Sequence, residues 1–178
     1  IAVLARGYRK LTEDVSDEAL ELRRTFPELR VFLGKDRVAL AEKAYGEGCE
    51  VVVLDDGFQY WPLHRDLDIV LIDATNPFGN GSILPGGILR ERPATALKRA
   101  DILVLTRTEG ESKEALERAE RFLKDLAPRP PILFSAHRHR RFYEAGSDKE
   151  ISPDALRGTR VILFCGIGNP RAFQRLLL

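Results

Sequence analysis

Val51-Val52-Val53-Leu54-Asp55-Asp56-Gly57 decides the fold class of this chain: four aliphatic residues in succession, three of them β-branched, ending in two acids and a glycine. An apolar run of that length without polar alternation predicts a strand buried on both faces, and Asp-Gly is a turn pair that closes it. Strand-like runs of the same kind fall at residues 1–5, 30–33, 67–72, 102–106, 132–135 and 161–165. Between them lie helical spacings. Residues 17–26 place Ala19, Leu22 and Phe26 on one face, residues 36–45 do so with Val38, Ala41 and Tyr45, and residues 111–126 do so with Leu116, Ala119 and Leu123. Residues 169–178 have helical character as well. Strands alternating with helices predict an α/β fold with a mostly parallel sheet flanked by helices. Such sheets bind ligands beyond the carboxyl ends of their strands, so the chemistry is expected just after each apolar run.

Composition narrows the function classes. The chain has 178 residues, 44% hydrophobic and 31% charged, enough for an ordinary core and far from the profile of disorder. A formal net charge of +1 supplies no global field for nucleic acid, and none is expected as a partner. No apolar run approaches the ~20 residues of a membrane span. Two cysteines, Cys49 and Cys165, lie far apart and predict buried thiols, neither a disulfide framework nor metal ligands. The chain has no methionine and starts at Ile1 inside an apolar run, and residues 169–178 read as a helix without a cap. Both ends are therefore expected to be cut from something longer. Two connections stand out: the Gly- and Pro-rich residues 74–93 as a candidate binding loop, and residues 127–131, leading into His137 to Arg141, as a boundary.

Several clusters could carry chemistry. Asp55 and Asp56 at a strand end have the form of a Walker B element, whose carboxylate holds magnesium against nucleotide phosphates, and they equally fit a plain Asp-Gly turn. No Gly-x-x-x-x-Gly-Lys-Ser/Thr loop occurs in the chain. Gly166-Ile167-Gly168 resembles a dinucleotide fingerprint, with Arg171 where its third glycine belongs. Ser16 reads as a helix N-cap followed by Asp17 and Glu18 at the positive helix end, and Asp36-Arg37 repeats the pattern before the second helix. His137 to Arg141 fit either phosphate or membrane contact, or a solvated edge with protective charges.

Taken in order, Leu4-Ala5-Arg6-Gly7-Tyr8, Asp17-Glu18, Lys35-Asp36-Arg37, Leu54 to Gln59, His64-Arg65-Asp66-Leu67, Leu84-Pro85-Gly86-Gly87 with Leu89-Arg90-Glu91, and Cys165 to Pro170 resemble the tetraacyldisaccharide 4'-kinases over nearly the whole chain. The resemblance implies a P-loop NTPase-like kinase core in residues 1–135 and the start of a C-terminal subdomain in residues 136–178. It implies transfer of the ATP γ-phosphate to the 4'-hydroxyl of a lipid A disaccharide 1-phosphate, with Mg2+, on the cytoplasmic face of the inner membrane. By position, Asp17 matches the catalytic base and Glu18 its neighbour. Arg37 and Arg90 match arginines lining the site, where forked donors suit phosphate oxygens. Asp55 and Asp56 match the Walker B acids, and Gln59, His64 and Glu91 match further motif positions, Gln59 and Glu91 on the nucleotide side. The family's Gly-rich loop is expected upstream of Ile1, and an Asp-His-His-like motif downstream of Leu178. Tyr60 stands where the family commonly has His, and Arg92 is an extra residue before Pro93. The alternatives are a non-catalytic nucleotide-binding module and a dinucleotide-dependent enzyme using Gly166 and Gly168.

Overall fold

The computed structural model describes residues 1–7, 10–12, 15–138, 140–147 and 149–177, so Tyr8, His139 and Leu178 of the sequence motifs lie outside the described residues. The chain forms two compact units, Ile1–Asp66 and Leu67–Leu178. The division at residue 136 is a different partition and remains a proposal.

In the first unit, β1 (Ala2–Ala5) is followed by the short antiparallel pair β2 (Lys10–Thr12) and β3 (Val15–Ser16), then α1 (Asp17–Thr25), β4 (Arg30–Leu33), α2 (Arg37–Gly46) and β5 (Val52–Leu54). The sheet order is β4-β1-β5, all parallel, with Ala2 opposite both Arg30 and Val52. Side chains alternate across a strand. Ala2, Leu4 and Phe32 therefore pack with Ala44, Leu40 and Ala41 of α2, while Val3, Ala5 and Val31 turn to the opposite face, towards α1. Ser16 caps α1, its hydroxyl accepting from the Ala19 amide at 3.3 Å, and Asp36 caps α2, its carboxylate accepting from Val38 and Ala39 at 3.1 Å each. Two expected core positions face out: Tyr45 is 81% exposed and Phe26 48%. The buried stripe of α2 runs through Arg37, Leu40, Ala41 and Ala44, and Phe26 sits at the C-cap of α1, past the last packed turn.

In the second unit, β6 (Ile69–Asp73), α3 (Pro93–Ala96), β7 (Ile102–Thr106), α4 (Lys113–Leu126) and β8 (Ile132–Phe134) make a second parallel sheet, β6-β7-β8. Leu103 and Leu105 on the central strand are fully buried against Ile72, Leu97, Leu123 and Ala127. The other face is open, with Leu71 and Leu133 exposed. A small hairpin of β9 (Phe142–Tyr143) and β10 (Glu150–Ile151), then α5 (Pro153–Leu156) and α6 (Pro170–Leu177), complete the unit. The expected strand at residues 161–165 pairs with nothing among the described residues. Ile162 and Phe164 are more than 90% exposed and Cys165 is exposed, because a strand is stable only with a neighbour to take its amides. Cys49 is buried as expected.

Candidate functional site

The end of β5 is built by close packing. Asp55 continues the ladder, its amide donating to the Leu4 carbonyl at 3.0 Å. Asp56 then takes a left-handed backbone (φ 50°), which Asp tolerates in turns. Gly57 follows because a Cβ there would lie 2.5 Å from the Leu54 Cβ. Both carboxylates are left exposed at the strand tip.

Arg37 opens α2 beside this turn and is 5% exposed. Its backbone amide donates to the Tyr60 hydroxyl at 3.2 Å, its guanidinium lies 5.6 Å from the Tyr60 ring centroid, and its Nη2 donates to the Asp55 carbonyl at 3.4 Å. Its Nε is buried without a hydrogen-bond partner, and no carboxylate pairs with it among the described residues. Tyr60 thus braces the arginine from two sides, and Arg65 in turn holds the Tyr60 carbonyl at 2.8 Å.

A cavity of about 440 Å³ opens between α1 and the sheet, lined by Val3, Ala5, Val31, Leu22, Glu18 and Asp55. It brings Glu18 and Asp55 to one apolar-floored space. Asp17 is exposed at the first position of α1, Gln59 is half-buried, and His64 is exposed. Asp55 and Asp56 could hold a magnesium ion, which keeps several waters and needs only one or two carboxylates. No cluster of three or more His, Cys, Asp or Glu able to hold a metal ion occurs among the described residues.

Arg90 and Glu91 belong to the second unit, on the loop of residues 74–93. That loop is tied to itself: Leu84 donates to the Leu89 carbonyl at 2.9 Å, Leu89 to the Ser82 carbonyl at 3.2 Å, and the Asn80 side chain to the Gly86 carbonyl at 2.8 Å. Gly87 is required there, since a Cβ would collide with Asn80 and the Ser82 carbonyl. Glu91 takes a two-pronged ion pair from Arg99 at 2.9 and 3.0 Å, which anchors the loop to the turn at Leu97–Arg99, and Arg90 stays exposed.

A second polar constellation escaped the sequence reading. Asp73 ends β6, and its Oδ1 accepts from the Thr75 amide at 2.9 Å and the Thr75 hydroxyl at 2.7 Å, while Arg107 pairs with Oδ2. Burial raises the Asp73 carboxyl pKa, but the Thr75 hydrogen bonds and Arg107 together hold it below the usual carboxylate range. The signal was the one used for Asp55, an acid directly after an apolar run. Gly166 and Gly168 fare worse as a dinucleotide fingerprint: neither has positive φ, a Cβ added at either would meet nothing within 4 Å, and no paired strand precedes them among the described residues. Of the basic run, His137 donates its amide to Glu109 at 3.0 Å and Arg141 pairs with Glu150 at 3.3 Å, as a solvated edge would.

A family model described as tetraacyldisaccharide-1-P 4'-kinase matches residues 1–178. Curated relatives named tetraacyldisaccharide 4'-kinase include one from Anaeromyxobacter sp. (strain K), 37% identical over 99% of this chain and 51% of its own length. Another, from Halothermothrix orenii, is 34% identical over 98% of this chain and 53% of its own, and one from Geobacter metallireducens is 35% identical over 97% and 53%. The chain thus spans about half the length of the curated relatives it matches. No solved structure matches.

Proposed function

Since the chain belongs to the tetraacyldisaccharide-1-P 4'-kinase family, we propose that it is part of an ATP-dependent enzyme that phosphorylates the 4'-hydroxyl of a tetraacylated disaccharide 1-phosphate, a lipid A precursor. The observation that carries the reading is Arg37, a buried guanidinium with an orphaned Nε beside the Asp55-Asp56 turn. Buried charges are normally paired. An arginine preorganised by Tyr60 and left without a carboxylate suits an anion with several oxygens, and phosphate is the one a kinase presents.

The roles follow from phosphoryl transfer, which asks for positioning and charge neutralisation more than for covalent chemistry. The 4'-oxygen bonds to the γ-phosphorus, the bond from that phosphorus to the β,γ-bridging oxygen breaks, and ADP leaves. Asp17, exposed ahead of α1, takes the hydroxyl proton, with Glu18 beside it. Arg37 and Arg90 neutralise phosphate oxygens. Asp55 and Asp56 hold magnesium, which would supply charge neutralisation between phosphates. Gln59 and Glu91 serve the nucleotide side, Glu91 by fixing the loop that carries Arg90. The fold proposed is a P-loop kinase core whose Gly-Lys-Thr loop is contributed by the enzyme outside this sequence. No helix among the described residues is long and apolar enough to cross a membrane. The lipid acceptor places the complete enzyme at the cytoplasmic face of the inner membrane.

The test is transfer of label from γ-³²P ATP to a tetraacyldisaccharide 1-phosphate by a chain of the relatives' full length that contains this sequence. Asp17→Asn should lower turnover there by about 10²- to 10⁴-fold, the usual loss for a general base, with Michaelis constants changed far less. Tight ATP binding without transfer would replace the reading with the non-catalytic module.

A further inference from the structure

The first turn of α2 has its amides taken before any anion arrives. Leu40 makes the first intrahelical bond, its amide donating to the Asp36 carbonyl at 3.2 Å, and the three helix amides ahead of it each go to a side chain. Val38 and Ala39 donate to the Asp36 carboxylate at 3.1 Å each, and Arg37 donates to the Tyr60 hydroxyl at 3.2 Å. The Asp36 charge also offsets the positive helix end. A phosphate here therefore meets the Arg37 side chain instead of the open helix terminus that often receives such groups. Whatever fixes that guanidinium sets how well phosphate is held.

Tyr60 meets Arg37 at both ends of the arginine. Its ring centroid lies 5.6 Å from the guanidinium, while its hydroxyl accepts from the backbone amide of the same residue. The tyrosine is held in turn through its own backbone: its amide donates to the Gly57 carbonyl at 2.9 Å, and its carbonyl accepts from Arg65 Nη1 at 2.8 Å. The same Nη1 reaches the Leu63 carbonyl at 3.1 Å, which fixes the bend of the loop. A tyrosine side chain has only two torsions and makes a stiff brace. Arg37 has one further bond, the long one from Nη2 to the Asp55 carbonyl at 3.4 Å, and its Nε is left over. An arginine has many torsions, and ordering them during binding costs affinity unless they are set beforehand. We propose that Tyr60 is a positioning residue for phosphate: it does not touch the phosphate and acts by presenting the unpartnered Nε edge of Arg37 in one orientation. The proposal rests on the assignment of phosphate to Arg37 above.

The test adds inorganic phosphate to the 178-residue chain, reading the dissociation constant by calorimetry and the Arg37 Nε–Hε signal by ¹H–¹⁵N NMR. Tyr60→Phe and Tyr60→Leu both strip the Arg37 amide of its acceptor, so the difference between them belongs to the ring. Phe should bind phosphate within about twofold of wild type and Leu about three- to tenfold more weakly, the cost of ordering one long side chain on binding. The Nε–Hε signal should move with phosphate in wild type and in the Phe variant, and should be broadened in the Leu variant before phosphate is added. In the longer enzyme Tyr60→Leu should lower kcat/KM over the same range and cost nothing further beside Arg37→Met, since residues acting through one contact are not additive. A Leu variant that binds as wild type overturns the proposal and leaves Arg37 a phosphate ligand. A Phe variant at least tenfold weaker than wild type makes the hydroxyl itself a phosphate ligand and overturns it as well, an arm that decides even where Leu fails to fold. Wild type that binds no phosphate, or whose Nε–Hε signal stays in place, would sink the Arg37 reading and the proposal with it. Absence of transfer by the longer enzyme, with phosphate binding still dependent on Tyr60, would sink the kinase reading alone.

Discussion

Arg37→Met separates a functional arginine from a structural one. Methionine keeps the unbranched stem and removes the guanidinium. The losses are the stacking on Tyr60, about 0.5–1 kcal/mol at a centroid distance of 5.6 Å near the outer limit for such contacts, and the hydrogen bond to the Asp55 carbonyl. At 3.4 Å that bond lies at the long end of the geometric range and contributes about 1 kcal/mol. The gain is relief of the orphaned buried Nε, about 1–3 kcal/mol. The backbone bond to Tyr60 is untouched. The sum lies within about 1 kcal/mol of zero, so the melting temperature of the 178-residue chain should move by no more than about 4 °C. Wild type should in turn be stabilised by inorganic phosphate, by about 1.4 kcal/mol at ten times its dissociation constant, and the Met variant should not respond. Calorimetry with and without phosphate reads both effects. A loss above about 3 kcal/mol, the cost of breaking a satisfied buried ionic contact, would show Arg37 to be a strut of the fold, and the reasoning would fail.

In the longer enzyme, Asp55→Asn or Asp56→Asn should raise the magnesium concentration needed for half-maximal turnover with an unchanged melting profile; wild-type magnesium curves for both would reduce the segment to a turn. Glu18→Gln should lose much less activity than Asp17→Asn, since it shares the helix-end position but not the proton. Asp73 has a folded pKa below its ordinary value of 3.8, so its stabilisation is complete above that value and disappears as pH falls through the folded pKa. Asp73→Asn should therefore be less stable than wild type to urea at pH 7 and should converge with it near pH 2, whereas a constant gap at both would contradict the linkage.

How far the sequence carried the fold depends on whether a strand's partners lie within the chain. Residues 51–54, 67–72 and 102–106 form strands within two residues of their expected ends, because Leu103 and Leu105 sit between two neighbours and β5 is paired with β1 through Leu54 opposite Leu4. Residues 161–165 have the same aliphatic character and pair with nothing described, since apolar composition specifies burial without naming the surface that supplies it. Tyr45 shows the corresponding limit for helices. Spacing from Val38 and Ala41 allows it on the packed face, but the 3.6-residue period turns the stripe through Ala44 and leaves the larger ring outside.

The candidate site was legible where chemistry and turn geometry coincide, and opaque where two distant segments meet. Asp55 and Asp56 announce themselves as acids ending an apolar run, and Gly57 confirms the turn by its lack of space for a Cβ. Arg37 could be named, but its meaning could not, because only the fold shows it buried against Tyr60, 23 residues away, with an unpaired Nε. That contact also explains the tyrosine at a position where resemblance expects histidine: it keeps a ring beneath the guanidinium and adds a hydroxyl that accepts from the Arg37 amide. Glu91 shows the reverse. Resemblance assigns it to the nucleotide, and the structure spends both its oxygens on Arg99. On the kinase reading proposed above, Glu91 acts by holding the loop that carries Arg90, and Glu91→Gln should alter turnover through the position of Arg90.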